Sequence, residues 1–113
     1  VREMLVRVLT GDGYGVSAAA DGGEAIAQAA IAPPDLVLLD LGREAAGGWE
    51  TFEQLTRGHP GLAVVIVTAN ANENAAAKAA GAAAFFEKPP SFPELLRVVS
   101  RLVGEAQELQ KHP

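Results

Sequence analysis

Residues 36–41 read LVLLDL, four apolar residues that run directly into a carboxylate. Prolines precede this stretch and a glycine follows it, so the run is typical of a short strand that is buried on both faces. Such strands belong to parallel sheets covered by helices, whose ligands bind beyond the carboxyl ends of the strands. The pattern therefore places Asp40 where a ligand would bind. Because aspartates are also common in turns and helix caps, the position of Asp40 alone does not indicate a binding site. Other polar residues at the same edge of the sheet are needed to support that interpretation.

Two further strand-like runs end in polar residues. Residues 63–67 lead into Thr68, and residues 83–87 lead into Lys88. Parallel strands present their carboxyl ends at one edge of a sheet, so three such strands would bring a carboxylate, a hydroxyl and an ammonium group together.

Helical patterns alternate with these strands. The first residues, 1–9, form an amphipathic pattern, and a weak short strand is predicted over Val16–Ala19 after a glycine-rich turn. Asp21 is predicted to be a helix N-cap, with Glu24 three residues later as its capping-box partner. Further helices are predicted over 22–32, 49–56, 70–80 and 91–104, with residues 105–113 as a polar tail. The alternation predicts an α/β doubly wound fold with right-handed crossovers.

Length and composition restrict the classes of function. The chain has 113 residues, enough for one domain, and its net charge is −5. An acidic domain without a cluster of lysine and arginine is a poor binder of nucleic acids and anionic membranes. The chain contains no cysteine, which excludes disulfides and thiolate metal sites and is compatible with the cytoplasm. We predict a cytoplasmic domain that binds neither membranes nor nucleic acids directly.

Taken together, these motifs resemble the receiver domain of two-component response regulators. The matching segments are LVLLDL around Asp40, Thr68-Ala69, the stretch from Gly81 through Phe85 to Lys88-Pro89, and ADGGEA at 20–25. The spacings of 28 residues from Asp40 to Thr68 and 20 from Thr68 to Lys88 also fit. The resemblance implies a flavodoxin-like doubly wound parallel sheet with strand order 2-1-3-4-5. The family's first strand and its acidic pair are missing from this chain, so residues 1–113 are expected to be a single, N-terminally incomplete receiver domain.

The resemblance implies specific roles for four side chains. Asp40 would accept a phosphoryl group from the phosphohistidine of a histidine kinase or phosphotransfer protein. Lys88 would pair with Asp40 and then with the phosphoryl oxygens, and Thr68 would donate its hydroxyl to one of them. Phe85 matches the family's switch aromatic. The surface around residues 70–80, 83–87 and the last helix would then change its contacts with an effector domain or a second copy.

The resemblance also implies a magnesium ion, held by Asp40 and the backbone carbonyl of Gly42. Mg²⁺ requires hard oxygen ligands in near-octahedral geometry. In the family an acidic pair supplies much of that set, so Asp40 and one carbonyl are expected to bind Mg²⁺ weakly.

Two alternatives compete with a phosphoacceptor signalling domain, which is not itself expected to be an enzyme. A degenerate receiver could act as a phosphorylation-independent interaction module, and the missing acidic pair supports this reading. A phosphatase of the haloacid-dehalogenase type also has a nucleophilic aspartate at a strand end. It needs a second aspartate two residues later, where this chain has Gly42, which argues strongly against it.

Overall fold

The structure is a computed structural model, and it describes residues 2–19, 21–41, 45–69, 81–88 and 90–111. Helices and strands alternate along these residues. In chain order they are α1 (Arg2–Gly11), α2 (Gly22–Ile31), β1 (Leu36–Leu41), α3 (Ala45–Gly58), β2 (Ala63–Thr68), β3 (Ala84–Glu87) and α4 (Phe92–Lys111). The helix predicted over 70–80 lies outside the described residues. No helix in the described part of the chain is long and apolar enough to cross a membrane.

The three strands form one parallel sheet in the order β1-β2-β3. Ile66, in the central strand, is in register with Leu39 of β1 on one side and Phe85 of β3 on the other. This arrangement confirms the predicted α/β class and corresponds to the last three strands of the order 2-1-3-4-5. It also places the carboxyl ends of all three strands at one edge, as the pattern of apolar runs predicts.

Alternate residues of β2 face the two sides of the sheet, and each side has its own hydrophobic cluster. Residues of α1 and α4 cover one side, and Phe52 of α3 covers the other. The buried members of the first cluster are Leu5, Leu9, Val65, Leu95, Val99 and Leu102. The buried members of the second are Phe52, Val64 and Ile66. Helices on both sides therefore leave the strand ends at the sheet edge available to a ligand.

Two local predictions are wrong. Residues 16–19 do not form a strand, because no strand in the described part of the chain lies beside them to share a hydrogen-bond ladder. The predicted polar tail is also wrong, because α4 continues through Glu105 to Lys111. Glutamate, glutamine, alanine and lysine are strong helix formers, so a polar composition does not end a helix.

The start of α2 agrees with its predicted cap and shows a close contact with α3. Asp21 Oδ1 accepts a hydrogen bond of 2.8 Å from the Glu24 backbone N–H. A Cβ built on Gly22 would overlap Thr51 Oγ1 and would lie 3.2 Å from the Thr51 Cβ. Thr51 itself is buried. Helix packing therefore accounts for a glycine at position 22.

Gly22→Ala is expected to lower the free energy of unfolding by about 1–3 kcal/mol, since the added methyl group must separate α2 from α3. The matched control is Gly23→Ala, whose Cβ would meet Asp21 Oδ1 at 3.5 Å, an ordinary contact. Alanine also has the higher helix propensity, so this control should be neutral or stabilising. Urea unfolding followed by circular dichroism measures the free energy of unfolding of both variants. Equal stability of the two variants would show that the helices do not touch at Gly22.

Candidate functional site

The carboxyl edge of the sheet carries the three polar residues that the sequence pattern predicts there. Asp40 lies near the end of β1, Thr68 ends β2, and Lys88 directly follows β3. The Lys88 backbone N–H donates a hydrogen bond of 2.7 Å to the Thr68 carbonyl. This bond ties the residue after β3 to the end of β2, and so fixes where the Lys88 side chain begins.

Lys88 Nζ forms an ion pair with Asp40 Oδ1. The two side chains are 20% and 30% exposed, respectively, so the pair is partly shielded from water. By strand alternation, Asp40 continues the face of Leu38 and Lys88 continues the face of Phe86, which pack against the same cluster. The two charges therefore meet on one face of the sheet, across the end of the central strand.

Asp40 Oδ1 is buried and, among the described residues, receives no hydrogen bond of regular geometry. The Lys88 ammonium is consequently the charge that compensates this oxygen. Because Oδ1 is buried while the side chain is partly exposed, the accessible surface of the Asp40 side chain lies away from Oδ1. A carboxylate that is held by a cation at one oxygen, in a side chain that is partly exposed, can act as a positioned nucleophile.

Thr68 and Phe85 lie on the opposite face of the sheet from the ion pair. Thr68 is 2% exposed and continues the face of Ile66. Phe85 is partly buried and packs against the cluster that contains Phe52, Val64 and Ile66. The structure thus places Thr68 and Phe85 on a shared face, while their roles in phosphoryl binding and switching stay predictions.

The described residues do not fit a magnesium ion by themselves. No group of three or more histidine, aspartate or glutamate side chains with metal-binding geometry occurs in the described ranges. Asp40 is one carboxylate, its buried oxygen faces Lys88, and that ammonium repels a second cation. Gly42, whose carbonyl is the other predicted ligand, lies outside the described residues.

An aromatic pair on α3 borders an open groove of about 320 Å³ lined by Trp49, Phe52, Glu53 and Thr56. The rings of Trp49 and Phe52 are edge to face, with centroids 5.7 Å apart. Phe52 is buried, and Trp49 is partly buried against the same cluster. The contacts of Trp49 are therefore those of a core side chain.

Sequence pattern alone did not single out Glu87, a second carboxylate at this edge. Glu87 ends β3, is exposed, and is in register with Thr68. The available signal was its position directly before Lys88, at the end of a strand-like run.

Comparisons with known proteins identify the family that this chain resembles. A family model described as "Response regulator receiver domain" matches residues 1–100. "DNA-binding transcriptional regulator NtrC" of Salmonella typhimurium is 32% identical over 113 residues, which are 98% of this chain and 24% of that protein. "Response regulator MprA" of Mycobacterium leprae is 35% identical over 105 residues, 91% of this chain and 46% of that protein. The chain therefore spans less than half the length of these relatives.

Two solved structures, in contrast, match this chain over most of their own length. The receiver domain of NtrX from Brucella abortus superposes with a TM-score of 0.83 at 27% identity, and the match covers 91% of this chain and 89% of that one. A CheY-like response regulator receiver domain protein from Methanospirillum hungatei gives a TM-score of 0.83 at 26% identity, covering 95% and 87%. The three strands and their flanking helices therefore occur in the same arrangement in these proteins.

Proposed function

This chain belongs to the response regulator receiver domain family of two-component signalling, and from that premise we propose that Asp40 is its phosphoacceptor. The donor would be the phosphohistidine of a histidine kinase or a phosphotransfer protein. The ion pair between Lys88 and Asp40 is the observation that carries the proposal. It supplies a nucleophile and a fixed positive charge at the carboxyl edge of the sheet, where ligands of such sheets bind.

In the proposed step, a carboxylate oxygen of Asp40 attacks the phosphorus atom of the partner's phosphohistidine. A P–O bond forms while the P–N bond breaks, and the electron pair of that bond returns to the imidazole ring. The products are an aspartyl phosphate and the free histidine of the partner. Because a carboxylate is a weak nucleophile, the rate depends on positioning and on compensation of the phosphoryl charge, which the Lys88 ammonium provides.

The phosphoryl group would act on partners by shifting a population between two conformations. Thr68 would bond a phosphoryl oxygen from the end of β2, and Phe85 would repack beside it. One relative is named a DNA-binding transcriptional regulator, of which this chain matches 24%. We therefore propose that the switched surface, β3 and α4, controls an effector domain in the native protein. The domain would accept one phosphoryl group and turn over no substrate of its own.

The direct test is the intact mass of the native-length protein after incubation with acetyl phosphate and Mg²⁺. The expected result is a single phosphoryl adduct that hydroxylamine removes, because hydroxylamine cleaves acyl phosphates and spares phosphoserine and phosphothreonine. Absence of an adduct, or an adduct that resists hydroxylamine, would overturn the proposal. Absence of any adduct would favour the phosphorylation-independent interaction module, which the lack of a cluster of metal-binding carboxylates among the described residues supports. An adduct that resists hydroxylamine would show that another residue is phosphorylated.

Lys88→Met is expected to slow phosphorylation by acetyl phosphate about a hundredfold, because it removes the fixed charge that stabilises the phosphoryl oxygens. Lys88→Arg should recover only part of the rate, since a planar guanidinium does not reproduce the geometry of an ammonium. Arg101→Met, on the exposed face of α4, is the control for the loss of one positive charge. Initial rates of adduct formation measure all three. A Lys88→Met rate within twofold of the unmodified protein would exclude the proposed role of Lys88.

A further inference from the structure

Glu87 adds a second negative charge to the edge that carries the proposed phosphoacceptor. Its Cα is in register with Thr68, which in turn is in register with Leu41, the residue after Asp40. Neighbouring strands lie about 4.8 Å apart, so β1 and β3 are about 10 Å apart. The Cα atoms of Glu87 and Asp40 are therefore about 10 Å apart, and by strand alternation the two side chains start on opposite faces of the sheet.

The charges at the strand ends do not cancel. Asp40 and Lys88 compensate each other through their ion pair. Glu87 is exposed and makes no ion pair with any residue in the described ranges. The described strand ends thus carry a net charge of −1, contributed by Glu87, at the edge of the sheet where an anionic phosphoryl donor would meet Asp40.

We propose that Glu87 determines the specificity of this site for its phosphodonor by disfavouring donors in proportion to their negative charge. The proposal rests on the phosphoacceptor function of Asp40. A phosphoryl donor must approach a carboxylate that no described residue compensates, and the electrostatic cost rises with each negative charge that the donor carries. A protein donor avoids this cost if it presents a cationic side chain opposite Glu87, so the site favours such partners over small anionic metabolites.

The expected size of the effect follows from Coulomb's law. At a separation of about 10 Å in water, one unit of charge at position 87 changes the rate about fourfold for a dianionic donor and about twofold for a monoanionic donor. The effect should largely vanish at 1 M salt, where the screening length falls to about 3 Å. If the substitutions at position 87 acted only by disturbing the structure, the changes in rate would depend neither on the charge of the donor nor on the salt concentration.

The experiment measures rates of adduct formation in the native-length protein with two donors, acetyl phosphate (a dianion at neutral pH) and phosphoramidate (net charge of minus one). The variants are Glu87→Gln and Glu87→Lys, compared at low and high ionic strength. Glu105→Gln is the matched control, because it removes an identical charge on the part of α4 that follows the core residue Leu102. Because Glu87 is exposed, its variants are expected to fold, and circular dichroism would test this.

With acetyl phosphate at low salt, the expected order of rates is Glu87→Lys, then Glu87→Gln, then the unmodified protein. The differences should be smaller with phosphoramidate and should converge at high salt, while Glu105→Gln stays unchanged. Equal rates for all variants, or differences that ignore salt and donor charge, would overturn the proposal for Glu87 alone. Absence of an adduct from every variant would instead show that the phosphoacceptor function itself is wrong, and would remove both proposals.

Discussion

Asp40→Asn is expected to abolish the hydroxylamine-sensitive phosphoryl adduct while leaving the fold intact. The substitution preserves the shape of the side chain but removes the negative charge that makes a carboxylate oxygen nucleophilic. The amide nitrogen cannot replace it, because its lone pair is delocalised into the carbonyl group. No other described carboxylate forms an ion pair with Lys88, so we expect no second site to take over.

The fold should tolerate this change because the ion pair is only partly buried. Asp40 and Lys88 are 30% and 20% exposed, and partly exposed pairs contribute about 1 kcal/mol or less to the free energy of unfolding. Asp35→Asn is the matched control: it makes the same chemical change just before β1, at the opposite end of that strand. Intact mass after incubation with acetyl phosphate compares the three proteins. An adduct that persists in Asp40→Asn would identify a different acceptor, and its loss in Asp35→Asn would point to general unfolding.

Ile66→Ala is expected to lower the free energy of unfolding by about 3–4 kcal/mol. Ile66 lies in the central strand, is 0% exposed, and belongs to the cluster with Phe52 and Val64. Removing its outer carbons loses their transfer free energy and leaves a cavity that a strand held on both sides cannot close. The loss is a large part of the typical stability of a domain this size.

Ile31→Ala provides a control with the same chemical change. Ile31 lies at the end of α2 and is 85% exposed, so its truncation removes almost no buried surface. The free energy of unfolding of the Ile31→Ala variant should stay within about 0.5 kcal/mol of that of the unmodified protein. Urea unfolding of both variants, with tryptophan fluorescence and circular dichroism as probes, measures the difference. Similar losses from the two substitutions would mean that β2 is not the centre of the core.

Local sequence pattern was sufficient to predict the elements that depend only on residues close together in the sequence. The apolar runs that end at Asp40, Thr68 and Lys88 predict the ends of the three strands to within one residue. They do so because a strand buried on both faces needs a short continuous run of apolar residues. Asp21 was identifiable as a cap because its carboxylate bonds a backbone N–H three residues away. The meeting of Asp40 and Lys88 at one edge also followed from sequence, since parallel strands have no other edge for their carboxyl ends.

The remaining features depend on contacts between residues that are distant along the chain. Whether residues 16–19 form a strand depends on a neighbouring strand, which local propensity cannot supply. The contact of Gly22 with Thr51 depends on how two helices approach each other. Which helices cover the Val65 face and the Ile66 face likewise depends on how distant parts of the chain pack. Glu87 likewise could not be distinguished from the other glutamates by its local sequence. The registry of three strands places it beside Thr68 and about two strand spacings from Asp40, because register is set by the packing of the whole sheet.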